Sequence, residues 1–337
     1  MVKKLLKILS IALIYCGALF GAGFASGREI FTFFSCYKTA GIVVSVFAGF
    51  LFSFFGFFVC GYAKTKNITN PEKYYEELFP KAVSKVTAFF TSAFLVMSFS
   101  IMITGCGTLL SEQLGVSSIY GSLVSLILCF FVIRNDVLGL ERFNLLATPF
   151  MLVGVIVLCL LSLKLPEVSD TEMGEVIPAA ISGILYVSYN MVSAVAVMVS
   201  SSKIAQTPKD AAIGGAVGGI FVAVPLVLMS VVLGCHWEVA SMPLPFFNLI
   251  YNNFPKVSFV CSLVLYIAML TTATSSGVAA LSCTKGKSTG KWAYLLCFFA
   301  FFMSFIPFGT LVQTVYTGFG FIGIILVVGI FIKILRK

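Results

Sequence analysis

The chain has 337 residues, 59% of them hydrophobic and only 10% charged, with a formal net charge of +9. So little charge, spread among repeated apolar runs of about twenty residues, excludes a soluble globular enzyme or a disordered chain and indicates an all-α polytopic membrane protein. The surplus of Lys and Arg must first be placed against the membrane, so no nucleic-acid partner is inferred from it.

Ten apolar segments can be drawn, over residues 8–36, 39–63, 85–110, 116–133, 143–163, 176–200, 211–234, 257–282, 291–305 and 307–332. The opening "MVKKLLKILSIALIYCGALFGAG" has the basic start and small residues of a cleaved leader, but apolar sequence continues through residues 30–34, which suits a retained span. With the N-terminus inside, 18 of the 22 basic residues fall on the cytoplasmic side, and the outer side keeps Arg28, Lys38, Lys164 and Lys256. Both termini are therefore expected in the cytoplasm, with an even number of spans.

The first segment contains "GAGFASGREI", residues 21–30. Residues 8–36 as one helix would measure about 43 Å against a hydrocarbon core of about 30 Å. Gly17, Gly21, Gly23 and Gly27 each weaken that helix by up to about 1 kcal/mol relative to alanine. Freed backbone groups in lipid need an answering partner, and a cation suits freed carbonyls. The rival reading is close helix packing, since Gly17/Gly21 and Gly23/Gly27 are both small-xxx-small pairs. Arg28 and Glu29 follow, two charges costly inside a membrane. They are read as an outer gate or as markers of the outer interface, and they project about 100 degrees apart on a helix.

"NPEKYYEELFPKAV" precedes the third segment and "LPFFNLIYNNFPKV" the eighth, each with a proline, aromatic residues and a closing Phe-Pro-Lys at residues 79–81 and 254–256. Between them the acidic stretch "KLPEVSDTEMGE" divides the segments five and five, giving repeats over residues 8–163 and 176–335 within one membrane domain, 1–337. Five spans per half bring the second half into the membrane from the opposite side, the arithmetic of an inverted-topology repeat.

In the sixth segment "ILYVSYNMVS" sets Ser188 and Asn190 beside Tyr186 and Tyr189, to bond either a solute or a neighbouring helix. In the eighth, "AMLTTATSSG" gathers Thr271, Thr272, Thr274, Ser275 and Ser276. Hydroxyl oxygens are hard ligands suited to sodium, though they also bond their own helix carbonyls. The ten cysteines are scattered without metal-ligand spacing, and His236 is the only histidine. No catalytic constellation is found, so no enzyme and no cofactor are expected.

Taken together these residues resemble the amino acid-polyamine-cation superfamily with its LeuT fold. "GAGFASGREI" more narrowly resembles the YkvI-type bacterial membrane proteins, an uncharacterised family beside the sodium-coupled symporters. That resemblance implies ten helices in a 5+5 inverted repeat, with helices 1 and 6 discontinuous, in a bacterial plasma membrane. It implies a sodium ion held by the carbonyls of Gly17, Phe20 and Thr271 and the hydroxyls of Thr274 and Ser275. It places a small-molecule substrate, an amino acid or related anion, against Ala22, Gly23, Phe24, Ala25 and Ser26 and against Tyr186, Ser188, Tyr189 and Asn190. Glu29 lies high in the first segment and Glu112 at the end of the third, so sodium is preferred over a proton as the coupling ion. A non-transporting ligand sensor on the same scaffold, and a proton-coupled transporter, remain the alternatives.

Overall fold

The computed structural model describes residues 2–135, 138–163, 174–282 and 289–335. Among them the regular elements are all helical. The first segment is three pieces, α1 (Val2–Leu19), α2 (Ala22–Ala25) and α3 (Arg28–Phe33). The remainder of the first half is α4 (Lys38–Thr65), α5 (Pro71–Leu78), α6 (Lys81–Leu114), α7 (Ser118–Asn135) and α8 (Leu138–Leu161). The second half is α9 (Val176–Ser201), α10 (Pro208–Gly234), α11 (Pro245–Asn253), α12 (Pro255–Ser282), α13 (Thr289–Met303), α14 (Phe308–Leu311) and α15 (Thr317–Leu335). A five-residue π-helical segment, Val312–Tyr316, joins α14 to α15.

Each of the ten apolar segments falls on helix. Among the described residues six stretches are long and apolar enough to cross a membrane: Arg28–Thr65, Lys81–Leu114, Val176–Ile204, Pro208–Gly234, Pro255–Leu281 and Phe308–Leu335. The shorter apolar helices Ser118–Phe131, Thr148–Leu161 and Gly290–Met303 accompany them. Rows of outward-facing apolar side chains, such as Val43, Phe47 and Phe50 on α4 and Phe298 and Phe302 on α13, need a lipid neighbour. The chain is an integral membrane protein.

Each Phe-Pro motif lies between a short helix and a long one. Asn70 caps α5 by accepting the Glu72 N–H (2.8 Å), Pro71 opens the helix, and Phe79 and Pro80 separate it from α6. Pro245 opens α11, and Phe254 separates it from α12, which begins at Pro255. Each short helix thus leads into a long one. Most of the acidic stretch that divides the halves, residues 164–173, lies outside the described residues, as do the basic residues at 285 and 287.

Small residues set the approach of α4 to α10. A side chain at Gly215 would overlap the Gly56 carbonyl, one at Gly56 would overlap the Gly215 carbonyl, and one at Gly219 would meet the Ser53 backbone. The Ser53 hydroxyl donates to the Ala216 carbonyl (3.0 Å) across the same seam. At one end of the bundle Lys4 Nζ lies 2.9 Å from Asp210 Oδ1, tying the start of α1 to the start of α10.

One expectation is corrected. Helix 6 is not discontinuous: α9 runs unbroken from Val176 to Ser201. Residues 184–201 contain neither glycine nor proline, and Asn190, one of the two polar residues set into this apolar stretch, bonds the helix's own backbone, as does Ser193. Asn190 Nδ2 donates to the Tyr186 carbonyl (3.0 Å), and the Ser193 hydroxyl donates to the Asn190 carbonyl (3.1 Å).

Candidate functional site

Helix 1 does break. In a continuous helix the Gly21 N–H would reach the Gly17 carbonyl; here it turns back to the Leu19 carbonyl (2.9 Å). α2 makes one turn, closed by Ala25 N–H to Gly21 O and Gly27 N–H to Phe24 O (both 2.9 Å). Gly27 then adopts φ +79°, a left-handed conformation that a side chain disfavours, and α3 starts in a new direction. α11 latches over this point, because the Phe246 N–H donates to the Ser26 carbonyl (2.9 Å).

The residues expected to hold an ion are brought partly together. The Phe20 carbonyl faces α12, where the Thr272 hydroxyl lies 3.5 Å away. Thr272 belongs to the hydroxyl cluster but was not among the expected ligands. The Thr274 hydroxyl donates to the Leu270 (2.8 Å) and Thr271 (3.0 Å) carbonyls, and the Thr271 hydroxyl to Ala268 (2.8 Å). These back-bonds hold the hydroxyls against their own helix. Ser275, the next residue of the cluster, is half-buried. Gly17 packs its Cα against the Thr148 hydroxyl of α8.

Of the residues expected to contact a substrate, Ala22 opens α2, and its side chain lies outside the described residues. Gly23, Phe24, Ala25 and Ser26 are buried at the break. The Phe24 ring packs on Phe20 (4.3 Å between centroids), and the Ser26 hydroxyl donates to the Gly23 carbonyl (3.2 Å). Tyr186, Ser188, Tyr189 and Asn190 are all buried on α9, and the Ser188 hydroxyl has no hydrogen-bond partner among the described residues.

Arg28 and Glu29 part company. Arg28 Nη1 donates to the Ala240 (3.1 Å) and Met242 (3.4 Å) carbonyls ahead of α11. Its guanidinium lines a cavity of about 490 Å³ with Thr104, Thr108 and Glu112 of α6 and with Gln313 of the π-helical segment. Asn248 of α11 donates to Glu112 at 2.6 Å on that wall. Glu29 turns inward instead. It is 3% exposed, its carboxylate accepts from the Tyr189 hydroxyl, and a side chain at Gly23 would overlap it. The chain kinks at Gly27, and α3 brings the Glu29 carboxyl against Gly23 and Tyr189.

Sequence reasoning named Tyr186 and Tyr189 but missed the rings packed beside them, Phe33, Phe94 and Tyr316. Phe33 of α3 lies 5.5 Å from Tyr186 and 5.6 Å from Tyr189, and Tyr316 stacks on Tyr189 at 4.7 Å. Phe94 of α6 closes on Tyr316 at 6.0 Å. Tyr316 sits in the π-helical segment, a geometry frequent at functional sites. The polar pair Gln313 and Thr314 within "VQTVY" was the available signal.

No protein-family model matches the chain. Along its sequence it is similar to the uncharacterized membrane protein YkvI of Bacillus subtilis (strain 168), 24% identical over 321 residues that cover 93% of this chain and 92% of that protein. This bears out the resemblance read from the helix 1 motif. Among solved structures the chain is similar to Mhp1, a nucleobase-cation-symport-1 family transporter. The closed form of Mhp1 with bromovinylhydantoin bound superposes with a TM-score of 0.63 at 12% identity, over 90% of this chain and 74% of that one. Its inward-facing form gives 0.68 at 12% identity, over 94% and 73%. A substrate-bound, outward-open Na+-coupled sialic acid symporter gives 0.62 at 12% identity, over 94% and 75%. The chain has the LeuT-type fold of these proteins.

Proposed function

We propose that this integral membrane protein, built on the LeuT-type fold, is a secondary active transporter. It moves a small organic solute by alternating access and uses sodium as the coupling ion. The observation that carries the reading is the break in helix 1, whose Phe20 carbonyl is presented to the hydroxyl-rich turn of α12. Backbone irregularity at membrane depth is tolerated where protein, water or a ligand answers it. Sodium is assigned to the carbonyls of Gly17, Phe20 and Thr271 and the hydroxyls of Thr274 and Ser275, with Thr272 as an added neighbour. The solute, an amino acid or related anion, is assigned to residues 22–26 and 186–190. The ten helices form two inverted five-helix repeats in a bacterial plasma membrane, with both termini in the cytoplasm. No enzymatic activity is assigned.

Sodium chloride is expected to raise the melting temperature of the purified protein above its value in potassium or choline chloride at equal ionic strength. Specific binding to the folded form stabilises it by about 2.7 kcal/mol at a hundred times the dissociation constant. The gain is expected to vanish in Thr274→Ala and Ser275→Ala. Equal melting in the three salts would remove sodium from this site.

Arg28 is assigned to the outer gate, because its guanidinium faces the cavity while bonded to the segment ahead of α11. Arg28→Ala is expected to cut accumulation of an anionic solute in proteoliposomes about tenfold, equivalent to about 1.4 kcal/mol, while leaving the sodium-dependent melting shift intact. Unchanged uptake would withdraw the assignment.

A further inference from the structure

Glu29 has no use in the sodium reading, yet it is the buried carboxyl nearest the break. Tyr189 donates to its Oε2, and its Oε1 is the atom that lies against Gly23 of α2. One side chain thus bridges the kinked part of helix 1 to α9. Aromatic rings pack beside it: Phe33 lies 5.5 Å from Tyr186 and 5.6 Å from Tyr189, those two tyrosines lie 5.4 Å apart, and Tyr316 backs Tyr189.

Among the described residues no cation pairs with Glu29. The titratable groups facing Glu29 are Tyr186 and Tyr189 of α9 and Tyr316 of the π-helical segment. Arg28, on the same helix, is directed to the Ala240 and Met242 carbonyls. α10 carries Lys209 and Asp210 only at its first turn, where Asp210 pairs with Lys4. α11 contributes Tyr251, which is exposed, and Cys36 and Tyr37 follow α3. An isolated carboxylate in such surroundings loses its hydration for a single phenolic hydrogen bond, a poor exchange, so the group neutralises by taking up a cation. One free carboxylate oxygen and a phenol are too few ligands for a metal ion, which wants six or so oxygens. A proton needs one oxygen and no volume.

We propose that Glu29 is a proton-binding site of the transport cycle: it carries its proton while α3 is closed on α9, and it exchanges that proton when this contact opens to water. The coupling rests on the alternating-access reading above; the protonation does not.

Two readouts on the purified full-length protein test it without a known solute. In the infrared difference between wild type and Glu29→Gln at neutral pH, a protonated-carboxyl C=O band is expected in the wild type. In amide hydrogen exchange, corrected for the intrinsic pH dependence, residues 20–34 and 184–192 of the wild type are expected to gain deuterium severalfold faster at pH 9 than at pH 6. Glu29→Gln, neutral and able to accept from Tyr189, is expected to stay protected at both, and Glu29→Asp to restore the pH dependence. A carboxylate band for Glu29 in the wild type, or the same pH response in wild type and Glu29→Gln, overturns the proposal. If both readouts hold and the reconstituted protein moves no solute under any gradient, the transporter reading fails and the proton site stands. If solute accumulates and the readouts fail, the proton site alone is lost.

Discussion

Gly27→Val is expected to destabilise the protein by roughly 2–5 kcal/mol and to abolish the sodium-dependent melting shift. Two costs add at this position. The backbone sits at φ +79°, where a residue with a Cβ pays about 1–2 kcal/mol and a β-branched one more. The new side chain would also overlap Phe246 Cβ and Leu233 Cδ1, and overpacking of a filled core typically costs about 1–3 kcal/mol. Relief by moving α11 would break the Phe246 to Ser26 hydrogen bond that holds it over the helix 1 break. Gly27→Ala should fall between the variant and the wild type. The check is a melting curve in detergent with and without sodium; wild-type melting for Gly27→Val would mean that the kink at this residue is not needed.

A second large effect is expected from Gly215→Leu, which should eliminate folded protein. At this seam the obstacle is backbone: a Cβ on Gly215 would meet the Gly56 carbonyl oxygen and carbon. A side chain can rotate away from a clash, but a helix backbone can only retreat as a body. α4 and α10 would have to separate along their length, with a penalty of about 3 kcal/mol or more, and the Ser53 to Ala216 bond would go with them. Val224→Leu on the outward face of the same helix, where Val224 is exposed to lipid, serves as the control and is expected to be neutral. The amount of monodisperse protein after size exclusion decides the matter. Equal yields of the two variants would show that the seam is loose.

The two halves of the site differed in how far they could be read beforehand. The break in helix 1 was legible because glycine alters the local helix balance, and local balances are written in local sequence. The continuity of α9 was not. Asn190 and Ser188 look alike as polar interruptions in a string of letters, yet Asn190 bonds the carbonyl one turn back and leaves its helix intact. The partner of Glu29 was not legible either, because the kink at Gly27 decides which way α3 turns the carboxyl.

By itself the sequence determined that this is a membrane protein of many helices, where those helices lie, and where the first is weakest. These follow from apolar run length, from the helix propensities of glycine and proline, and from motifs repeated before α6 and α12. Tertiary structure alone decided which residues meet: Phe20 with Thr272, Arg28 with the Ala240 and Met242 carbonyls, and Glu29 with Tyr189 beneath Tyr316. Each partner in these pairs lies more than 120 residues from the other, and no local preference encodes such a distance. They are joined because the helices that carry them pack, and packing depends on the shape of every face at once.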